Sequence, residues 1–243
     1  MLFGNRLTIA TLAAMFGFAA PAHADAIQSH VAAIAATLNP RVARTLSRLD
    51  GTGRQMLALR SYLRRADTIA AHWSWTQAQI DSYAGSAAQR ILDAEIDRVR
   101  QSFELRDPGY SLFVNPQVRG LEIQIIRWNT NRSVSTASDE LSKAANALLA
   151  TGHFPAAGTA GGSVEFARFL KSYSQKSTPT IAAPGLSSHG QMRAVDFQVR
   201  RGVETVAGPD TTTIDSIWRG QGWRDKLHAA VATSLKFPRG CIS

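Results

Sequence analysis

The sequence predicts an α+β fold, in which an N-terminal helical region precedes a small domain built around an antiparallel sheet. Three observations lead to this prediction. Apolar residues recur at helical spacing over residues 26–105. Segments rich in branched and aromatic residues follow only after Asp107-Pro108-Gly109. Beyond that point, strands and helices do not alternate regularly, which favours α+β over a doubly wound sheet.

The composition is that of a folded chain. The 243 residues include 27 Lys+Arg and 18 Asp+Glu, which gives a formal net charge of +9, and 44% are hydrophobic. This balance excludes a disordered polyelectrolyte, and the length suffices for one or two domains of roughly 100–200 residues. The single cysteine, Cys241, excludes a disulfide scaffold and a zinc site made of several thiolates.

The first 24 residues have the three-part pattern of a secretory signal peptide. Arg6 precedes the uncharged run Leu7–Ala20, and the small-x-small triplet Ala22-His23-Ala24 follows. The alternative, a membrane anchor, is disfavoured because the run is shorter than the ~20 apolar residues of a span. We therefore expect cleavage near Ala24 and an exported chain, periplasmic or extracellular, without a membrane span. Nucleic acid is not an expected partner of such a chain.

The helical region, residues 25–106, should contain two shorter helices at Val31–Leu38 and Met56–Ala71. A capping box, Thr76 with Gln79, should then start one long helix whose apolar positions continue to Val99. Residues 107–243 form the second predicted domain. Its expected strands are residues 110–114, 121–128 and 194–199, and its expected helices are 136–150, 163–173, 213–219 and 223–234.

One segment carries candidate chemistry. Residues 186–199, LSSHGQMRAVDFQV, contain Ser187, His189 and Asp196. Because His189 and Asp196 are separated by an odd number of positions, a bend near Gly190 is needed to bring both toward one point. Imidazole and carboxylate are suitable zinc ligands, and a catalytic zinc typically has three protein ligands plus water. The spacing alone is a weak signal and favours a hydrogen-bonded histidine beside a strand.

This segment resembles the zinc D-alanyl-D-alanine carboxypeptidases and dipeptidases, whose motif is Ser-x-His-x-x-Gly-x-Ala-x-Asp. Four positions match, and Met192 stands where the glycine usually falls; the matches are Ser187, His189, Ala194 and Asp196. The resemblance covers roughly residues 110–237. It implies a small α+β domain, zinc bound by His189 and Asp196, a supporting role for Ser187, and peptidoglycan stem peptides as substrates, cut near D-alanine.

The resemblance also implies an arginine that holds the substrate carboxylate, since a guanidinium pairs with a carboxylate through two hydrogen bonds. Arg132, in Asn131-Arg132-Ser133, is the candidate by position, and Arg127 is its competitor. Either residue could equally be a solvated surface arginine.

The family completes its site with a Glu-x-Trp-His element, which supplies the general base and the third zinc ligand. This sequence contains no such element, and His228, the one later histidine, lies in a predicted helix. Loss of the base should cost catalysis ~10²–10⁴-fold. Two hypotheses therefore follow: an exported zinc peptidase acting on stem peptides, or a non-catalytic, C-terminally truncated relative that binds cell-wall peptides without cleaving them. A serine hydrolase is disfavoured because no Gly-x-Ser-x-Gly occurs.

Overall fold

Helices dominate the structure, which also contains one small sheet. The computed structural model describes residues 20–115, 117–210 and 213–234, with side chains from residue 25. The helices are α1 (Ala20–Ala35), α2 (Pro40–Leu46), α3 (Gly51–Arg64), α4 (Ile69–His72), α5 (Gln77–Tyr83), α6 (Ala87–Arg106), α7 (Leu121–Thr130), α8 (Arg132–Ala150), α9 (Ala160–Ser172) and α10 (Trp223–Ser234). The strands are β1 (Ser111–Asn115), β2 (Asp196–Arg201) and β3 (Glu204–Ala207). The α+β prediction, with N-terminal helices, is confirmed.

The signal-peptide prediction concerns mainly residues 1–19, which lie outside the described residues, as does Cys241. Within the described ranges, no helix combines the length and the apolar character that crossing a membrane would require.

One predicted strand is wrong. The segment Leu121–Trp128 forms helix α7, whose buried residues are Gln124, Ile125 and Trp128. This spacing of one, three and four positions places all three side chains on one face of a helix. Burial of Ile125 and Trp128 against neighbouring helices overrides the modest β-propensity of the segment, while Ile123 and Ile126 remain exposed.

The single long helix predicted after Thr76 is also wrong in its extent. The capping box at Thr76 and Gln79 is present, but α5 ends at Tyr83 and α6 begins after Ser86, whose side chain caps it. Gly85 lies between them with φ +71°, a conformation that glycine adopts without penalty.

Helix α9 begins three residues before the predicted start at residue 163, because the side chain of Thr159 caps it.

The larger of two apolar clusters, here called the helical core, joins α1–α3 with α7–α9. Its fully buried large side chains include Tyr62, Trp128, Leu141 and Phe166. Helix α3 packs against α1, α8 and α9, so helices far apart in the sequence share this core. Burial of these apolar surfaces is the main source of the stability of this part of the molecule.

The smaller cluster, here called the sheet core, contains α6, the sheet and α10. The strand order is β1-β2-β3 with both pairs antiparallel, and Leu112 lies opposite Val199 in the β1–β2 register. Phe103, Val199 and Trp223 are buried between the sheet and the two helices. The predicted domain boundary at residues 106–107 falls between α6 and β1, and both elements belong to the sheet core.

Candidate functional site

The segment with the candidate residues begins as a loop that is held against the residues preceding α5. The main-chain N–H of Ser74 donates to the carbonyl of Gly185 at 2.8 Å, and that of Trp75 donates to Gly190 at 2.9 Å. Both glycines make close approaches: a Cβ on Gly185 would lie 2.8 Å from the Trp73 ring, and one on Gly190 would lie 2.1 Å from Ser74 Oγ. The loop can therefore lie this close only because these two positions lack side chains.

A buried glutamine joins this loop to helix α7. Gln124 Nε2 donates to Ser74 Oγ at 2.7 Å and to the carbonyl of Arg119 at 2.6 Å. Its Oε1 accepts from the main-chain N–H of Gly185 at 2.9 Å. In addition, the main-chain N–H of Arg119 donates to the carbonyl of His189 at 3.2 Å. These bonds fix His189 relative to the segment that carries Arg119.

The bend required by the odd spacing is present. Residues Ser188–Gln191 form a 3₁₀ turn, and Met192 follows it with φ 50° and ψ 33°. Among the described residues, Met192 alone is a non-glycine residue with positive φ. A left-handed backbone costs an ordinary residue roughly 1–2 kcal/mol, which is a physical reason for glycine at this position of the motif. Because of this bend, His189 Nε2 lies 3.5 Å from Asp196 Oδ1.

Asp196 begins strand β2, where it lies opposite Asn115 of β1. Its Oδ1 faces His189, and its Oδ2 accepts from the guanidinium of Arg119 in an ion pair. The side chains of Asp196 and Arg119 are each 26% exposed, so the pair is accessible from solvent. Sequence reasoning missed Arg119, which lies in a loop with no motif around it and meets Asp196 only in the folded chain.

The surroundings of His189 favour its neutral form. Burial lowers the pKa of the imidazole, and the nearby positive charge of Arg119 lowers this pKa further. The carboxylate of Asp196 and the main chain of Ala194 raise it by less, while Arg127 acts in the same direction as Arg119. A neutral imidazole therefore faces the Arg119–Asp196 ion pair.

The other predicted site residues differ in their relation to this pair. Ser187 precedes the 3₁₀ turn and is half-buried, but its side chain does not cap the turn. Arg132 is the exposed first residue of α8, and no contact within the described residues joins it to His189 or Asp196. Arg127, the competing arginine, is close enough for its charge to act on His189.

The described residues do not make a complete zinc site. His189 and Asp196 offer two ligand atoms, but no group of three His, Cys, Asp or Glu side chains that could hold a metal occurs among the described residues. The second oxygen of Asp196 is already paired with a guanidinium, whose positive charge opposes a cation at the same place. The two available ligand atoms and the positive charge already present therefore suit the observed arginine better than a zinc ion.

Comparisons of the chain with protein families, with characterised proteins and with solved structures give no match. The relation to zinc D-alanyl-D-alanine carboxypeptidases accordingly depends on the residues of the motif themselves. It remains a prediction from the sequence.

Proposed function

We propose that this chain is an exported cell-wall protein that binds peptidoglycan stem peptides without hydrolysing them. The observation that carries the proposal is the ion pair between Arg119 and Asp196 beside the imidazole of His189. A positive guanidinium stands where the family resemblance implies a metal cation, and it keeps the charge of Asp196 balanced without a metal.

The same three side chains have the chemistry to recognise a peptide end. A guanidinium has five N–H donors in a planar fork, and the contact with Asp196 leaves donors of Arg119 for a terminal carboxylate. Asp196 can accept a hydrogen bond from a peptide N–H. His189 in its neutral form can donate or accept one. The partial exposure of Arg119 and Asp196 allows a ligand to reach them.

A second candidate function is the zinc peptidase of the family, which one observation favours. Nε2 of His189 and Oδ1 of Asp196 lie 3.5 Å apart, so both could bind one metal ion. An imidazole nitrogen and a carboxylate oxygen are both suitable zinc ligands. For this function, Arg119 would have to leave Asp196, and a further ligand would have to be supplied.

Binding to purified sacculi and to a soluble D-alanyl-D-alanine stem peptide distinguishes the two functions, when combined with zinc analysis and an assay for released D-alanine. We expect the metal-free protein to bind both ligands and to release no D-alanine. Arg119→Gln should weaken binding of the peptide at least about ten-fold, because a charge-assisted hydrogen bond is lost. Arg119→Lys should restore it only partly, because an ammonium lacks the planar fork.

Arg106→Gln provides the control, since Arg106 is exposed at the end of α6 and the substitution changes the net charge equally. Thermal unfolding of each variant shows whether it folds. Stoichiometric zinc that disappears in His189→Ala, together with release of D-alanine, would instead establish the peptidase. A folded protein that binds neither sacculi nor stem peptide would contradict the proposed function.

A further inference from the structure

A concave cavity of 540 Å³ opens beside the candidate site. One side is formed by helix α2 and the turn after it, and the other sides by residues 73–77, Ile80 of α5, Val118 and residues 120–123. Its volume falls within the roughly 300–1,000 Å³ range of ligand pockets. We call this cavity the arginine groove, after Arg41, Arg44 and Arg48, which line it.

The charges of the arginine groove are unbalanced. Arg41, Arg44 and Arg48 follow one another at spacings of three and four, so they share one side of α2 and its continuation. Glu122 is the one acidic residue among the lining residues, and it pairs with Arg48. For Arg41 and Arg44, the described part of the chain provides no ion pair. Adjacent like charges are unfavourable, so these two arginines are suited to an anionic partner.

The Arg48–Glu122 pair illustrates how a carboxylate is held here. Nη1 of Arg48 donates to Oε1 of Glu122 at 2.8 Å, and its Nη2 donates to Oε2, so both oxygens are engaged. This pairing holds the pKa of Glu122 below its usual value. The groove thus already accommodates a carboxylate bound by a guanidinium through two hydrogen bonds.

The remaining lining of the arginine groove is largely apolar. Trp75 is half-buried and packs against Tyr83 with ring centroids 5.0 Å apart. Ile123 lines the groove although it is 44% exposed, and Leu121 and Ile80 lie nearby. An apolar lining with arginines on one side suits a ligand that combines aliphatic groups with carboxylates.

The arginine groove adjoins the segment of the chain that carries Arg119. Val118 and Gly120 line it, and Arg119 lies between them in the chain. Ser74 also lines the groove, and its hydroxyl accepts from Gln124, which holds the main chain of Arg119. The groove therefore lies next to the segment where the proposed peptide end would be bound.

We propose that the arginine groove binds the acidic part of an extended peptide, with its carboxylates paired to Arg41 and Arg44 and its aliphatic groups against Trp75 and Ile123. This inference rests on the proposed function, because the peptide is the stem peptide whose end lies at Arg119. It extends that function by assigning the recognition of the internal carboxylates to a helical part of the chain outside the carboxypeptidase-like motif.

Calorimetric titration with two synthetic stem peptides tests the inference. One peptide has free internal carboxylates, and in the other the same groups are amidated. The double variant R41Q/R44Q should bind the free-carboxylate peptide about ten-fold or more weakly than the unmodified protein. It should bind the amidated peptide with unchanged affinity. The control R65Q/R106Q removes the same charge from two exposed arginines outside the groove and should change neither affinity.

The possible outcomes separate this inference from the proposed function. If R41Q/R44Q binds the free-carboxylate peptide normally while Arg119→Gln does not, the groove assignment is wrong and the proposed function stands. An equal loss for both peptides would overturn the carboxylate pairing. If the unmodified protein binds neither peptide nor sacculi, both proposals are overturned. Unfolding curves for R41Q/R44Q confirm that the variant is folded in each case.

Discussion

The helical core and the sheet core contribute different parts of the candidate site. The helical side holds the loop of His189 through hydrogen bonds that Ser74 and Trp75 donate and one that Gln124 accepts. The sheet core contributes Asp196, at the first position of β2. The two site residues therefore depend on separate packing units, and their separation of 3.5 Å depends on how these units are held together. Arg119 makes that connection, since it bonds to the main chain of His189 and to the side chain of Asp196.

The largest expected effects come from removing one buried phenylalanine from each core. Phe166 and Phe103 are both 0% exposed. Phe166→Ala in the helical core and Phe103→Ala in the sheet core should each lower the free energy of unfolding by ~3–5 kcal/mol, since both lose apolar contacts and leave a cavity. Chemical denaturation followed by circular dichroism measures both changes.

Exposed residues on the same two helices provide the controls. Val164→Ala in α9 and Leu105→Ala in α6, at positions 55% and 84% exposed, should change stability by less than about 0.5 kcal/mol. If Phe103→Ala cost no more than Leu105→Ala, the sheet core would not be a packing unit comparable with the helical core.

A smaller effect is expected where the loop of His189 contacts the helical side. In Gly190→Ala, the new Cβ would lie 2.1 Å from Ser74 Oγ and 2.7 Å from Gln124 Nε2. Both neighbours are buried, so we expect a loss of ~1–3 kcal/mol in stability and weaker binding of the stem peptide as His189 moves from Asp196. Thermal unfolding and peptide titration measure the two effects.

Gly158→Ala is the matched control for this substitution. A Cβ at Gly158 would meet no atom within 4 Å, and its φ is not positive. This change should leave peptide binding intact and should not destabilise the chain. A Gly190→Ala variant as stable as Gly158→Ala would show that the loop is not held by its close packing on Ser74.

Much of this architecture could be predicted because it depends on local patterns. Helix α10 has the predicted bounds Trp223–Ser234, and the capping box at Thr76 is where the sequence places it. The bend before Asp196 follows from an odd spacing alone. Helix α7 could not be recognised, because its branched residues have the composition of a strand and only contacts with distant helices show which of them are buried.

The connections within the site could not be predicted, since they join residues far apart in the chain. Arg119 lies 77 positions before Asp196, and nothing in its neighbourhood distinguishes it from a surface arginine. Gln124 is bonded to Gly185, which follows it by 61 positions. Long-range polar pairs of this kind leave no periodic signal, because only the tertiary fold brings their members together.

The smallest expected effect distinguishes the cores by their response to acid. His30 in the helical core is 2% exposed, with its ring stacked on Phe166 at a centroid distance of 4.7 Å. Its Nδ1 has no hydrogen-bond partner in the described part of the chain. Burial lowers the pKa of His30 below its usual value of 6.5. The only histidine in the described elements of the sheet core, His228, is exposed.

Below pH 6.5 the unfolded chain therefore binds a proton at His30 that the folded chain does not yet bind. The contribution of His30 to stability is complete above that pH and is lost progressively as the pH falls toward the lowered pKa of the folded state. Denaturation curves across this range should show a smaller pH dependence for His30→Phe than for the unmodified chain. The pKa of His189 is also lowered in the folded state, so part of the pH dependence of stability should remain in His30→Phe. An unchanged dependence in His30→Phe would mean that acid acts on the helical core through another group.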